Sequence, residues 1–168
     1  MMSRKHTLVT LVADRPGVLN KVSSLFRRRG FNIESIAVGS SEEPGLSRMT
    51  IVVLGNAAEV EQVRKQLDKL VDVVKVFNIP EDSGVARELA LIKVRTTPSN
   101  RSEIMQIVDI YRATIVDVAP DSLTVETTGD EDKVESLVNL MRGFGIKEVA
   151  RTGRIALSRG IMAGRAEE

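Results

Sequence analysis

The tightest constraint on this chain is an order of segments that occurs twice. Five prolines, Pro16, Pro44, Pro80, Pro98 and Pro120, punctuate the sequence. Residues 7–12 (TLVTLV) are aliphatic and β-branched, the composition of a buried strand. Asp14-Arg15-Pro16-Gly17 reads as a turn in which Pro16 is placed to open a helix. Val18, Leu19, Val22, Leu25 and Phe26 fall on one face of that helix. Arg27, Arg28 and Arg29 followed by Gly30 suit its end, where cations complement the dipole and glycine stops the turn. Further strands are expected over 32–39, 47–54 and 71–77. Between the last two, Asn56 and Glu59 have capping-box spacing ahead of a stripe of Val60, Val63, Leu67 and Leu70.

Residues 80–86 read as a linker, and the order then starts again. A strand over 88–95 precedes a helix opened by Thr97-Pro98, with Asn100 and Glu103 as a second capping box and a stripe of Ile104, Ile107, Val108 and Tyr111. Strands 114–118 and 123–127 are joined by a tight turn at Pro120-Asp121. Asp130 caps a helix whose inner face is Val134, Leu137, Val138 and Met141, and a strand over 146–151 closes the unit. Residues 155–157 suit one more short strand.

Two β-α-β-β-α-β units predict an α+β fold of two ferredoxin-like domains, each an antiparallel sheet with helices on one face. The expected boundaries are 1–79 for the first domain, 80–86 for the linker, 87–160 for the second domain and 161–168 for a charged tail. The apolar side chains of each helix stripe contribute roughly 1.5–3 kcal/mol apiece before entropy. The other face of each sheet is expected to be uncovered, with apolar edges, so the sheets should pair across a homodimer.

Composition narrows the chemistry. With no Cys, no disulfide, thiol nucleophile or Cys-ligated metal site is possible. His6 is the single His, which excludes a His-pair metal site, and it has no acidic neighbour. Glu42-Glu43 and Asp130-Glu131-Asp132 have no further carboxylate or His at ligand spacing. Neither a catalytic nor a metal site is therefore expected. A net charge of +1 argues against a chain dominated by phosphate contacts, and the strands 47–54 and 123–127 hold no aromatic residue on which RNA bases could stack. No apolar run has signal-peptide or membrane-spanning length, so a cytoplasmic chain is expected.

One loop stands apart. Asp14-Arg15-Pro16-Gly17 joins a strand to a helix start, where free N–H groups attract a carboxylate. Gly17 permits close approach to the backbone, Asp14 can accept from an ammonium group, and Val18 and Leu19 supply apolar surface. That set suits an aliphatic amino acid. An ordinary turn with proline at the first helical position is the alternative.

D-x-P-G-V-L at the first turn of such a domain resembles an ACT domain, a regulatory amino-acid-binding module. The strings RRGFNIESIAVG (28–39), PGLSRMTIVV (44–53), KLVDVVKV (69–76), RELALIKV (87–94), IVDVAPDSLTVETTG (115–129) and EVARTGRIALSRG (148–160) closely resemble the regulatory small subunits of acetolactate synthase, also called acetohydroxyacid synthase. The likeness runs from about residue 7 to 160. It implies a chain with no chemistry and no cofactor of its own. The partner it implies is a catalytic large subunit that carries thiamine diphosphate, Mg and FAD and opens branched-chain amino-acid synthesis. The small subunit is implied to activate that partner and to confer feedback inhibition by valine. In the family, valine lies between two ACT domains, which assigns it to Asp14, Pro16, Gly17, Val18 and Leu19 of one chain and Asn32, Ile33 and Gly39 of the other. The family commonly has Asn where this chain has Asp14. A free-standing ACT sensor for another enzyme is the alternative, and VARTGRIALSRG argues against it. A small ferredoxin-like enzyme is disfavoured by the lack of catalytic side chains.

Overall fold

The computed structural model describes residues 4–160. The chain divides into two compact units. Among the described residues the first comprises 4–85 and 153–160, and the second comprises 86–152. The expected tail at 161–168 lies outside the described residues.

In the first unit the order is β1 (Arg4–Ala13), α1 (Val18–Arg28), β2 (Ile33–Ser40), β3 (Leu46–Gly55), α2 (Ala57–Leu67) and β4 (Val73–Ile79). The sheet runs β2-β3-β1-β4, antiparallel throughout. Alternation assigns its two faces. Leu8, Val12, Met49, Ile51 and Val53 pack with Val18, Val22, Leu25 and Phe26 of α1 and Val60, Val63 and Leu67 of α2 in one core. The two helices therefore share a face, as the pattern predicts.

Local chemistry sets the helix ends. In α2 the Asn56 side chain accepts from the Glu59 N–H (2.9 Å), and Glu59 accepts in return from the Asn56 N–H (3.0 Å). At the end of α1 Gly30, in the left-handed region at φ 73°, closes a Schellman pair: its N–H donates to Arg27 and that of Phe31 to Phe26. The start of α1 departs from expectation. Pro16 is not the first helical residue. The helix opens at Val18, with Gly17 as its cap at φ 87°.

The other face of this sheet is not bare, contrary to expectation. Val9, Thr50 and Val52 are buried there. Residues 153–158 cover part of it. Gly153 lies against the main chain of Ile36 and Ala37, Arg154 donates to the Thr7 hydroxyl (3.3 Å), and Arg48 donates to the Ala156 carbonyl (3.2 Å) while lying 5.4 Å from the Phe77 ring centre. The short strand β9 (Ile155–Ser158) pairs with β5 (Gly84–Arg95). The expected linker is thus mostly structured: one 3-10 turn occupies Glu81–Ser83, and β5 begins at Gly84.

In the second unit, β5 is followed by α3 (Arg101–Ile110), β6 (Thr114–Ala119), β7 (Ser122–Gly129), α4 (Glu131–Arg142) and β8 (Ile146–Arg151) in the sheet order β6-β7-β5-β8. Ile104 and Val108 of α3 and the full predicted stripe of α4 pack on Ala90, Ile92, Val94, Leu123 and Val125. Asp130 caps α4 by accepting from the Lys133 N–H (2.9 Å). The second capping box does not form. Asn100 turns its side chain back to accept from the Thr97 N–H (2.8 Å), closing the Thr97–Asn100 turn instead. Both sheets are thus ferredoxin-like, with four α-helices among the described residues.

Candidate functional site

The loop between β1 and α1 is built on an exposed start. Asp14 is exposed, and its N–H donates to the Gly45 carbonyl (2.9 Å), tying the loop to the β2–β3 turn. Gly17 has no side chain to cap α1, and the first turn holds no acidic residue. The N–H groups of Val18, Leu19 and Asn20 therefore meet no cap and no backbone acceptor among the described residues. Four such amides are orphaned at any helix start and normally find a side chain, water or ligand. A Cβ built on Gly17 meets nothing within 4 Å, so the side from which a ligand would approach is open. The φ of 87° also explains why glycine is needed there.

Leu19 is half exposed and offers apolar surface as expected, but Val18 does not. Its side chain is in the core, 3% exposed, leaving only its N–H available. Asn32 is exposed, Ile33 packs partly on the core, and Gly39 is exposed on β2.

Register shows which of these residues share an end of the sheet. Gly39 lies opposite Arg48, and Arg48 opposite Leu11, so Gly39 sits about 10 Å across β3 from the end of β1. Ile33 pairs with Val53 and so lies at the far end, roughly 20 Å along β2 from Gly39. One copy of the chain brings Asp14, Pro16, Gly17 and Leu19 to the same end as Gly39. It does not bring Asn32 or Ile33 there.

Three residues of this region escape sequence reasoning. Asp72, read as part of a strand beginning at Val71, instead precedes β4, and its side chain is 3% exposed. It accepts from Arg15 Nε (2.6 Å) and Nη2 on one oxygen and from Lys21 Nζ (2.6 Å) on the other. Its own carbonyl accepts from the Ala13 N–H (2.8 Å). The Lys21 ammonium and the Arg15 guanidinium hold the Asp72 carboxyl below the usual carboxylate range. The available signal was a lone acid within LVDVV, since a charge in an apolar run needs a partner. Among the described residues, no three His, Asp or Glu side chains are grouped to hold a metal ion, and no helix is long and apolar enough to cross a membrane.

Two family models match successive parts of the chain. Residues 8–75 match the AHAS small subunit-like ACT domain, and residues 87–160 match the family described as small subunit of acetolactate synthase. An Archaeoglobus fulgidus chain named probable acetolactate synthase small subunit is 57% identical over 156 residues, covering 93% of this chain and 98% of that one. The acetolactate synthase small subunit of Mycobacterium bovis is 49% identical over 160 residues, 95% of each chain. The crystal structure of the acetolactate synthase small subunit from Thermotoga maritima superposes with a TM-score of 0.89 at 48% identity, covering 94% of this chain and 98% of that one. With its two ferredoxin-like units and these likenesses along nearly its whole length, the chain belongs to the acetolactate synthase small-subunit family.

Proposed function

We propose that this chain is a regulatory subunit that activates a catalytic acetolactate synthase subunit and makes it sensitive to valine. The reading builds on the family membership. The structural observation that carries it is the uncapped start of α1, with left-handed Gly17, whose Cβ position is open, and the amides of Val18, Leu19 and Asn20 without a cap or backbone acceptor. A valine carboxylate there meets backbone donors and the positive end of a helix dipole. Leu19 is the apolar surface beside it, and Asp14 accepts from the ammonium group.

A second copy completes the site. Among the described residues the edge strand β2 is paired only with β3, and a two-fold, antiparallel pairing of two such edges sets Asn32 and Ile33 of one copy beside Gly39 of the other. That supports the homodimer inferred from the sequence and explains why one chain cannot gather all eight residues. Thiamine diphosphate, Mg and FAD are assigned to the catalytic subunit, and the reaction is placed in cytoplasmic branched-chain amino-acid synthesis. Burying an isopropyl group is worth roughly 2 kcal/mol, and micromolar binding needs about 8, so the polar ends of the ligand supply most of the affinity.

The test is acetolactate formation by a cognate catalytic subunit with and without this chain, followed by a valine titration. Activation that valine then reverses is the expected outcome. No change in rate with the chain and no inhibition by valine overturn the reading, and acetolactate formation by this chain alone makes it an enzyme instead.

A further inference from the structure

We propose that Asp72 is a positioning residue for the effector loop, clamping Arg15 and Lys21 on either side of the free helix-start amides so that the carboxylate site is formed before the ligand arrives. The inference rests on the reading of the β1–α1 loop as the amino-acid site.

A helix start is ordinarily anchored by a side chain at its cap, and that side chain occupies the amides. Here the cap is Gly17, which has no side chain, and the amides of Val18, Leu19 and Asn20 are unoccupied. A loop anchored by nothing would have to be ordered at the ligand's cost, which lowers affinity. The Asp14 N–H bond to Gly45 holds the start of this loop, and Asp72 anchors the rest from outside. Its carboxylate holds Arg15, two residues before Gly17, and Lys21, four residues after it, and its carbonyl holds the Ala13 N–H. One residue on the approach to β4 thereby restrains the loop at three points without using an amide that the ligand needs.

The charge arrangement fits the same role. Asp72 is 3% exposed, whereas the Arg15 and Lys21 side chains are more than half exposed. Its two oxygens occupy both cationic heads, so neither is free to swing over the helix start and trap a carboxylate in another pose. With Asp14 counted, two cations meet two anions beside the amides, so the attraction for an anionic ligand end rests on the amides and the helix dipole. The neighbouring Val71 is 94% exposed and serves as an internal control in the same loop.

The experiment measures the valine dissociation constant of the full-length chain by calorimetry and the valine titration of the holoenzyme, for wild type, Asp72→Asn, Asp72→Glu and Val71→Ser. Asp72→Asn is expected to weaken valine binding about tenfold while saturating valine still inhibits to the wild-type extent, because the site can form but is no longer preformed. Asp72→Glu should recover most of the affinity, and Val71→Ser should bind as wild type. Unchanged or tighter binding in Asp72→Asn overturns the proposal, since the clamp would then be irrelevant or merely a charge competing with the ligand. Equal loss in Asp72→Asn and Asp72→Glu, or in Val71→Ser, overturns it in favour of a general structural role. If wild type binds no branched-chain amino acid, the site reading fails and this inference with it.

Discussion

Arg112 stands after α3 where Gly30 stands after α1. Each closes its helix with the same two hydrogen bonds, Gly30 to Arg27 and Phe31 to Phe26 in the first unit, Arg112 to Asp109 and Ala113 to Val108 in the second. Both are left-handed, at φ 73° and 52°. Glycine adopts that conformation without strain, whereas an L side chain costs about 1–2 kcal/mol. Arg112 is exposed, so little packing offsets the cost. Arg112→Gly is expected to stabilise the protein by about 1 kcal/mol after the added unfolded-state freedom of glycine is counted, read as a higher midpoint in denaturant. A lower midpoint would show that the arginine side chain contributes a contact worth more than the strain.

Gly153 is required by crowding, not by dihedral angle. A Cβ on it would stand 2.7 Å from the Ile36 carbonyl oxygen and 2.8 Å from its carbon, both main-chain atoms of β2. Neither can rotate away. Gly153→Ala should therefore lift residues 153–158 off the sheet at a cost of about 1–3 kcal/mol. The measurement is amide exchange at Ala156 and at Thr7 and Val9 of β1, which should quicken together in the variant. Quickening confined to Gly153 itself would show that the segment re-seats.

The ion pairs make stability fall on the acid side. Lys21 and Arg15 lower the pKa of Asp72, Lys147 lowers that of Asp121, and Arg64 lowers that of Glu61. A carboxyl that holds its proton less tightly when folded adds stability above its unfolded pKa, about 3.9 for Asp, and loses it as pH falls through the lower folded value. Melting temperature should hold between pH 7 and 5 and drop below about pH 4. Asp72→Asn should start lower at pH 7 and drop less steeply. Parallel curves for wild type and variant would mean that Asp72 contributes no linked protonation.

Gly17 separates conformational need from ligand approach. The space around its Cβ position is open, so alanine creates no clash within the chain. Its cost is the left-handed φ of 87°, about 1–2 kcal/mol, and a methyl group standing over the helix-start amides. Gly17→Ala should reduce stability by about that amount yet weaken valine binding by more than tenfold, because the methyl blocks the carboxylate's approach. Affinity that falls only in step with stability would place the ligand elsewhere.

Much of this fold was legible because burial leaves a period in the sequence. The four inner residues of α4 and the eight strands ordered in the two sheets are examples. What was hidden depends on contacts distant in sequence or on competing local bonds. Asn56 and Asn100 have the same spacing to a glutamate, but the turn made by Thr97 and Pro98 offers Asn100 an N–H that it takes in preference. Asp72 looked like a strand residue because its partners lie 57 and 51 positions away. The free amides at Val18, Leu19 and Asn20 were foreseeable from the loop, although the buried Val18 side chain was not.

Asp14 stands where the resemblance in sequence implies an Asn, and the difference between the two is electrostatic. Asp14 is exposed, and the bond that ties it down uses its N–H, which Asn retains. Asp14→Asn should therefore leave stability nearly unchanged. Toward the ligand the two differ sharply. A carboxylate side chain accepts from the ammonium group and repels the carboxylate, whereas an amide can accept from one and donate to the other. At about 4 Å in water-like surroundings one such repulsion is worth about 1 kcal/mol, close to a fivefold change in affinity. Asp14→Asn is expected to tighten valine binding by about that factor. It should do nothing of the kind for valinamide, which lacks the carboxylate and keeps the ammonium. Titration of both ligands against both chains reads this directly. A variant that binds both ligands more weakly would instead show that the Asp14 charge is the principal hold on the ammonium group.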